Sequence, residues 1–452
     1  MPFHLAKIAT LIGHKARVWH LSWSPDGKKL ASCGEDRTVA IWGINDSGEW
    51  DKKTEFLRHT GSVRRVEWAP DGKTLASCSF DKKTILHKIV SEEPDLTTEV
   101  KDILEGHEAE IKSIAFSPKE GDLLATCARD RLICVWDVSE DTECIAVLQG
   151  HTQDIKHVMW HPVYRHLLVS ASYDNSIRFW LDPVVSSSSS SSFPKQLDEV
   201  DGEWPCVEVH EDHTSTVWDL SFEQPLPSRL ASSSSASPSI TAMGATSEPT
   251  VTLVSPDRYG GSTQPRMISA SADSSVIVWS RPLLNHPYKV EQKITGDFDE
   301  TVVYSVSWRC PHHPPVFECL SNSSSAKKEG ECKSDATEDK KVDEASESKC
   351  EDKKEDSTEK CDKIIENKEE KCENSEQLIA DNFPPMFATG SGDNALRLYV
   401  EDPETRHFIL SATILEAHGS DINCVRFNPA YSNILATCGD DNVIHVWRVQ
   451  EQ

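Results

Sequence analysis

Gly106 to Trp136 reads GHEAEIKSIAFSPKEGDLLATCARDRLICVW, and this stretch decides the fold. It opens on Gly106-His107 and runs into a short apolar strand carrying Ile111, Ile114 and Phe116. A Ser117-Pro118 turn follows, then a second apolar strand from Leu123 to Cys127, a tight turn ending at Asp130, and a third strand closing on Trp136. Three strands in about thirty residues, punctuated by turn residues, make an antiparallel meander.

The same pattern recurs along the chain. An Asp stands six positions before an aromatic at Asp36/Trp42, Asp130/Trp136, Asp174/Trp180, Asp273/Trp279, Asp393/Tyr399 and Asp441/Trp447, while Asp81 meets His87. Four positions before each Asp is a hydroxyl: Ser32, Ser77, Thr126, Ser170, Ser269, Thr389 and Thr437. Upstream lies His14, His59, His107, His151, His213 or His418, with Asp299 at that place in the sixth unit. A repeat of roughly 45 residues that starts on Gly-His and ends on Trp-Asp-like sequence marks propeller blades. The expectation is an all-β, seven-bladed WD-repeat β-propeller occupying 1–452 as one domain. The strand before each His serves as the outer strand of the preceding blade. The last blade lacks one, and Phe3–Leu11 is expected to supply it, closing the ring.

The repeated His, Asp, Ser/Thr and Trp have a structural reading. The His donates to the turn Asp and contacts the hydroxyl, which meets the indole N–H, so each buried polar group has a partner. On paper this resembles a Ser-His-Asp triad, but sevenfold repetition without a nucleophile or oxyanion motif argues against catalysis. The breaks at His87, Asp299 and Tyr399 are expected to leave blades two and six less tightly tied.

Length alone suggests about three domains, but the repeat overrides that prior. The formal net charge of −27 argues against general nucleic-acid binding, which needs a basic footprint. The opening MPFHLAKIATLIGH has no apolar run of signal-peptide or membrane-span length, so no membrane contact is expected. Of the 14 Cys, Cys33, Cys78, Cys127 and Cys438 fall in strands and read as small buried side chains. A reducing compartment without stable disulfides follows, the cytosol first and the nucleus second.

Three inserts interrupt the blades. Residues 184–203 include a serine run, 223–266 are rich in Ser and Pro within blade five, and 309–385 are charged within blade six. Between Ala326 and Gln377 there are 19 Asp/Glu against 12 Lys and few large apolar residues, so this segment is expected to be disordered. Cys332, Cys350, Cys361 and Cys372, with Cys310, His312, His313 and Cys319, have spacings too long and irregular for a zinc module. Neither a metal nor a cofactor is expected.

Two positions per blade should face the central channel on the side of the His-bearing loops. The residue five after the His gives Trp19, Arg64, Lys112, Lys156, Trp218, Tyr304 and Asn423. The residue before the turn Asp gives Glu35, Phe80, Arg129, Tyr173, Ala272, Gly392 and Asp440. Arg64, Lys112, Lys156 and Arg129, walled by Phe80, Tyr173, Trp19 and Trp218, then form a basic, aromatic patch. Such a patch suits an acidic peptide, with its terminal carboxylate and an aromatic side chain.

The wording of the blades adds a resemblance. ILEGHEAEIKSIAFSP, LLATCARDRLICVW, ECIAVLQGHTQDIKHVMWHP, SASYDNSIRFW and HTSTVWDLSF resemble the WD-repeat protein family of cytosolic iron–sulfur assembly. The likeness is densest from about Leu104 to Phe222 and weaker in blades five to seven. It implies a non-catalytic scaffold of the targeting complex. Such a scaffold would join a MIP-eighteen-type partner to a HEAT-repeat adaptor and help deliver [4Fe–4S] clusters to cytosolic and nuclear apo-proteins. The family's functional arginine maps onto Arg129, and its clients present tails ending in an acidic and an aromatic residue. Where the family carries Leu-Tyr-Arg, a chaperone-docking signal, this chain has Phe179-Trp180-Leu181. The competing expectation is a WD-repeat substrate receptor of a ubiquitin ligase, or an RNA-processing scaffold.

Overall fold

The second strand of blade three, Leu123–Ala128, is buried along its whole length. A sheet covered on both faces must be stacked between two others, and twisted sheets stacked in sequence close into a ring. The computed structural model describes residues 3–45, 47–91, 96–183, 204–224, 264–282, 286–310 and 383–451. All belong to one unit, built from Met1–His312 and Asn382–Gln452. Its strands form seven four-stranded antiparallel sheets. Blade three shows the plan: Ile111–Phe116 is innermost, followed by Leu123–Ala128, Leu132–Asp137 and the exposed outer strand Glu143–Gln149.

The core lies between blades. Ala125, Cys127, Ile133 and Val135 of blade three pack on Val158, Trp160, Leu168 and Trp180 of blade four. Phe179, Trp180 and Leu181 are all buried. The ring closes as expected: Phe3–Ile12 pairs antiparallel with Val443–Glu451, from Phe3 opposite Glu451 to Ile12 opposite Val443. Phe3, Leu5 and Leu11 are buried, and Phe3 and Leu5 join the cluster holding Met386, Leu398, Trp447 and Val449.

Each repeated polar set is one proton circuit. In blade three, His107 Nδ1 lies 2.8 Å from Asp130, His107 Nε2 lies 2.8 Å from Thr126 Oγ1, and Trp136 Nε1 donates to that hydroxyl at 3.0 Å. Blades one, four, five and seven repeat it. The glycine before the His is needed because a Cβ at Gly13 or Gly150 would stand 2.9 Å from the Trp42 or Trp180 ring. The turn Asp accepts further backbone bonds, as Asp130 does from Glu108 and Leu132.

Blade two differs from expectation. His87 replaces the Trp without loss: its Nε2 reaches Ser77 Oγ at 2.8 Å while Arg58 donates to its Nδ1 at 2.8 Å. Burial, aided by Arg58, holds His87 well below the usual histidine value, so the neutral ring donates through Nε2 as an indole would. Blade six is rewired. Phe298, not the exposed Asp299, is the buried ring in the His place. Arg397 binds Asp393, Tyr399 donates to Asp297 at 3.1 Å, and Thr389 Oγ1 is buried without a partner among the described residues.

The centre of the ring holds an ionic plug that the repeat does not announce. Asp219 accepts from Arg426 Nη1 at 2.9 Å, Ser305 Oγ at 2.7 Å and the Val306 backbone at 3.0 Å, and lies 2.6 Å from His157 Nδ1. Arg426 reaches His20 at 3.1 Å, and Arg65 lies 3.2 Å from His157. Burial opposes the Asp219 charge, but Arg426 and His157 outweigh it and hold the carboxyl well below its usual value. Burial lowers His20 to about 3 and His157 to about 4.

An acid sensitivity follows. His20, His87, His157 and His161 are neutral when folded but gain a proton near pH 6.5 once unfolded. Their contribution is complete above that value and is lost as pH falls towards their folded values. Each withdraws about 1.4 kcal/mol per pH unit once fully below 6.5. Urea unfolding should therefore lose roughly 5 kcal/mol between pH 7 and pH 5.5. A flat stability across that window would show that these rings protonate in the folded state.

The three inserts leave the blades between strands. Residues 184–203 fall between Ile177–Leu181 and Cys206–His210, and 225–263 between Val217–Phe222 and Met267–Ser271. The blade-six insert falls between Val303–Trp308 and Met386–Ser391. The described ends of the longer two belong to the blades: Arg266 Nε lies 3.0 Å from Glu223, and Arg309 Nε donates to Ser432 O at 2.8 Å. The expected disorder of Ala326–Gln377 and the insert cysteines Cys319, Cys332, Cys350, Cys361 and Cys372, with His312 and His313, lie outside the described residues.

Candidate peptide-binding ring

The innermost strand of each blade begins just beyond the His loop, which sets its early residues around the mouth of the channel. The positions five after the His make contacts that pass from blade to blade. Arg64 lies over Trp19 at 5.1 Å, and Lys112 over Phe80 at 4.0 Å. Lys156 lies 5.0 Å from Tyr173 and 5.1 Å from Trp218, whose ring meets Tyr304 edge-on at 5.5 Å. Asn423 donates to Val18 O at 3.1 Å, completing the circle from blade seven to blade one. Cations over aromatic faces are attracted by the ring quadrupole, and here they are partly covered, the Lys156 side chain being 12% exposed.

Arg64, Lys112 and Lys156 are close enough to repel one another. Burial first, then Lys156 and Arg64, lower Lys112 to about 8 despite Glu110; Lys156 is lowered by burial despite Asp154. Arg129 joins through Glu110, whose carboxylate lies 3.2 Å from Arg129 and also feels Lys112. The Arg129 side chain is 60% exposed. Trp218 Nε1 is buried without an acceptor among the described residues. These contacts and mutual repulsions bring all eight residues selected from the sequence into one group.

The sequence reading missed the position three after each His, which carries Arg17, Glu110, Asp154 and Asp421. These charges trim the ring. Glu110 and Asp154 pair with Arg129 and Lys156, while Arg17 lies 3.4 Å from Glu35 and 3.5 Å from Asp440. Blades two to four are thus cationic, and blades seven and one carry Asp421, Asp440 and Glu35. The signal was available as a third column, charged in four blades and occupied by Ser62, Thr216 and Val302 in the other three.

Among the described residues one trio, His418, Asp441 and His445, brings metal-ligand atoms within 4.8 Å of one another. His418 is already engaged by Asp441 and Thr437, and His445 by Thr10.

The family model described as WD domain, G-beta repeat matches residues 5–43, 50–87, 98–137, 142–180 and 410–448. Among curated relatives, the probable cytosolic iron-sulfur protein assembly protein 1 of Pyricularia oryzae is 39% identical over 39% of this chain and 32% of its own length. That of Kluyveromyces lactis is 32% identical over 28% of the chain and 26% of its length. The Homo sapiens probable cytosolic iron-sulfur protein assembly protein CIAO1 is 40% identical over 14% of the chain and 20% of its length. The chain thus spans at most about a third of the length of these relatives. With seven four-stranded blades and five stretches matching the WD40 model, the described residues form a seven-bladed β-propeller with WD40 repeats, similar in part to cytosolic iron–sulfur protein assembly proteins.

Proposed function

We propose that this protein serves cytosolic iron–sulfur protein assembly as a non-catalytic scaffold that reads peptide tails at the mouth of its ring. The carrying observation is the cationic, aromatic-walled sector Arg64, Lys112, Arg129 and Lys156, on a chain whose relatives bear that function in their names. The ligand is an acidic tail ending in an aromatic residue: its carboxylates meet the cations and its ring joins Phe80, Tyr173 or Trp218. The scaffold would also hold a MIP-eighteen-type partner and a HEAT-repeat adaptor, in the cytosol and, for nuclear clients, the nucleus.

Fluorescence anisotropy with an acidic peptide ending in Trp, at physiological salt, tests the reading. Arg129→Glu exchanges an exposed cation for an anion and should weaken binding at least tenfold, about 1.4 kcal/mol. Binding should also weaken between pH 7 and pH 9 as Lys112, lowered to about 8, loses its proton. Equal affinity of the wild type and variant, with no such pH dependence, would move the tail-reading site elsewhere.

A further inference from the structure

The third strand of blade three, Leu132–Asp137, carries Cys134, and its outer strand, Glu143–Gln149, carries Cys144. Cys144 lies opposite Trp136 and Cys134 opposite Val147, with an irregularity in the ladder between Val135 and Trp136. Alternation along the third strand puts Cys134 and Trp136 on one face, and the pairing brings Cys144 to that same face. The Cys144 thiol donates to Ala146 O at 3.6 Å, and Cys134 and Cys144 act on one another across the ladder. Cys144 is exposed, whereas Cys134 is 4% exposed behind it.

We propose that Cys134 and Cys144 form a reversible disulfide staple between the third and outer strands of blade three when the protein meets a peroxide. The Cys144 thiolate attacks one peroxide oxygen, the O–O bond breaks, and hydroxide leaves, giving a sulfenic acid on Cys144. Cys134 then attacks that sulfur, the S–O bond breaks, and water leaves as the Cys134 proton is transferred. Two thiols are oxidised and one peroxide is reduced to two waters. Supporting chemistry lies alongside: interaction with the Cys134 thiol lowers Cys144 to about 7, with His107 acting in the same direction, while the same interaction and burial push Cys134 well up. A substantial thiolate fraction is therefore present at neutral pH on the sulfur that solvent reaches.

Two other sites show why this pair stands out. Cys424 and Cys438 lie opposite each other, but both are buried among inner strands and Cys438 Sγ donates to Val18 O at 3.4 Å. Cys206 takes the Cys144 place in blade four, opposite Trp180, with Sγ 3.6 Å from Glu208 O. There the Cys134 place is held by Arg178, which hydrogen-bonds the Cys206 thiol, so no second sulfur waits. In a reducing compartment such an accessible pair suits a transient, redox-responsive bond.

The test treats the full folded chain with hydrogen peroxide, blocks residual thiols and maps peptides by mass spectrometry. The expected product is one cross-linked peptide pair joining Cys134 to Cys144, lighter by two hydrogens and restored by dithiothreitol. Cys144→Ser, at an exposed position that leaves the fold intact, should abolish it, and Cys206→Ser should not. Oxidation should also slow hydrogen exchange across Glu143–Gln149. Sulfinic acid on Cys144 with no cross-link, or an unchanged cross-link in Cys144→Ser, overturns the proposal.

Discussion

A chain lacking residues 1–12 should fail to hold a folded ring at 37 °C. Its last blade would keep three strands and expose Val443–Glu451 as a long edge. The loss combines an antiparallel ladder running from Phe3 to Ile12 with the burial of Phe3, Leu5 and Leu11. Three such side chains stabilise by roughly 1.5–3 kcal/mol each, already comparable to the 5–15 kcal/mol that holds a typical domain folded. The exposed edge should also drive aggregation. Leu5→Ala is the graded version, with an expected loss of about 2–4 kcal/mol from a cavity against the core of blades six and seven. Thermal and urea melts check both, and a truncated chain melting within about 2 °C of the full one would show that closure contributes little.

Asp219→Ala should cost about 3–5 kcal/mol by leaving Arg426 charged and unpaired at the centre of the ring. The effect should exceed that of any exposed ion pair, such as Lys83–Glu105, which solvent screens. Because the penalty comes from the stranded guanidinium, Asp219→Ala with Arg426→Met should recover much of the loss. Urea unfolding of the two single variants and the double variant gives the coupling directly. A single variant within about 1 kcal/mol of wild type would mean that water or Glu67 compensates the charge.

The blades were legible because their chemistry is local and repeated. His107, Thr126, Asp130 and Trp136 stand at fixed intervals, and the same side chains recur wherever the same circuit is built. Closure was legible by counting, since one blade lacked an outer strand. The channel mouth was legible in part, because the position five after the His carries aromatic and cationic residues with a common orientation. The plug was not. The position six after the His holds His20, Arg65, Ser113, His157, Asp219, Ser305 and Cys424, with no shared type. Its partners meet only through the ring, as Asp219 and Arg426 do across blades five and seven. Phe298 was misplaced for a related reason: without the His, nothing in the loop marks which residue turns inward. His87 looked like a defect because residue type was read in place of donor geometry.

The pairing of Phe3–Ile12 with Val443–Glu451 also sets a clock. During synthesis the first strand leaves the ribosome long before the strand it must join exists. At about 5–20 residues per second, roughly 20–90 seconds separate the two events. Throughout that interval Phe3, Leu5 and Leu11 have no mate, and each completed blade presents an open flank. The protein therefore becomes a ring in one late step, after its last strand emerges. A nascent chain stalled anywhere before Val443 is an unfinished molecule, whatever number of blades it already carries.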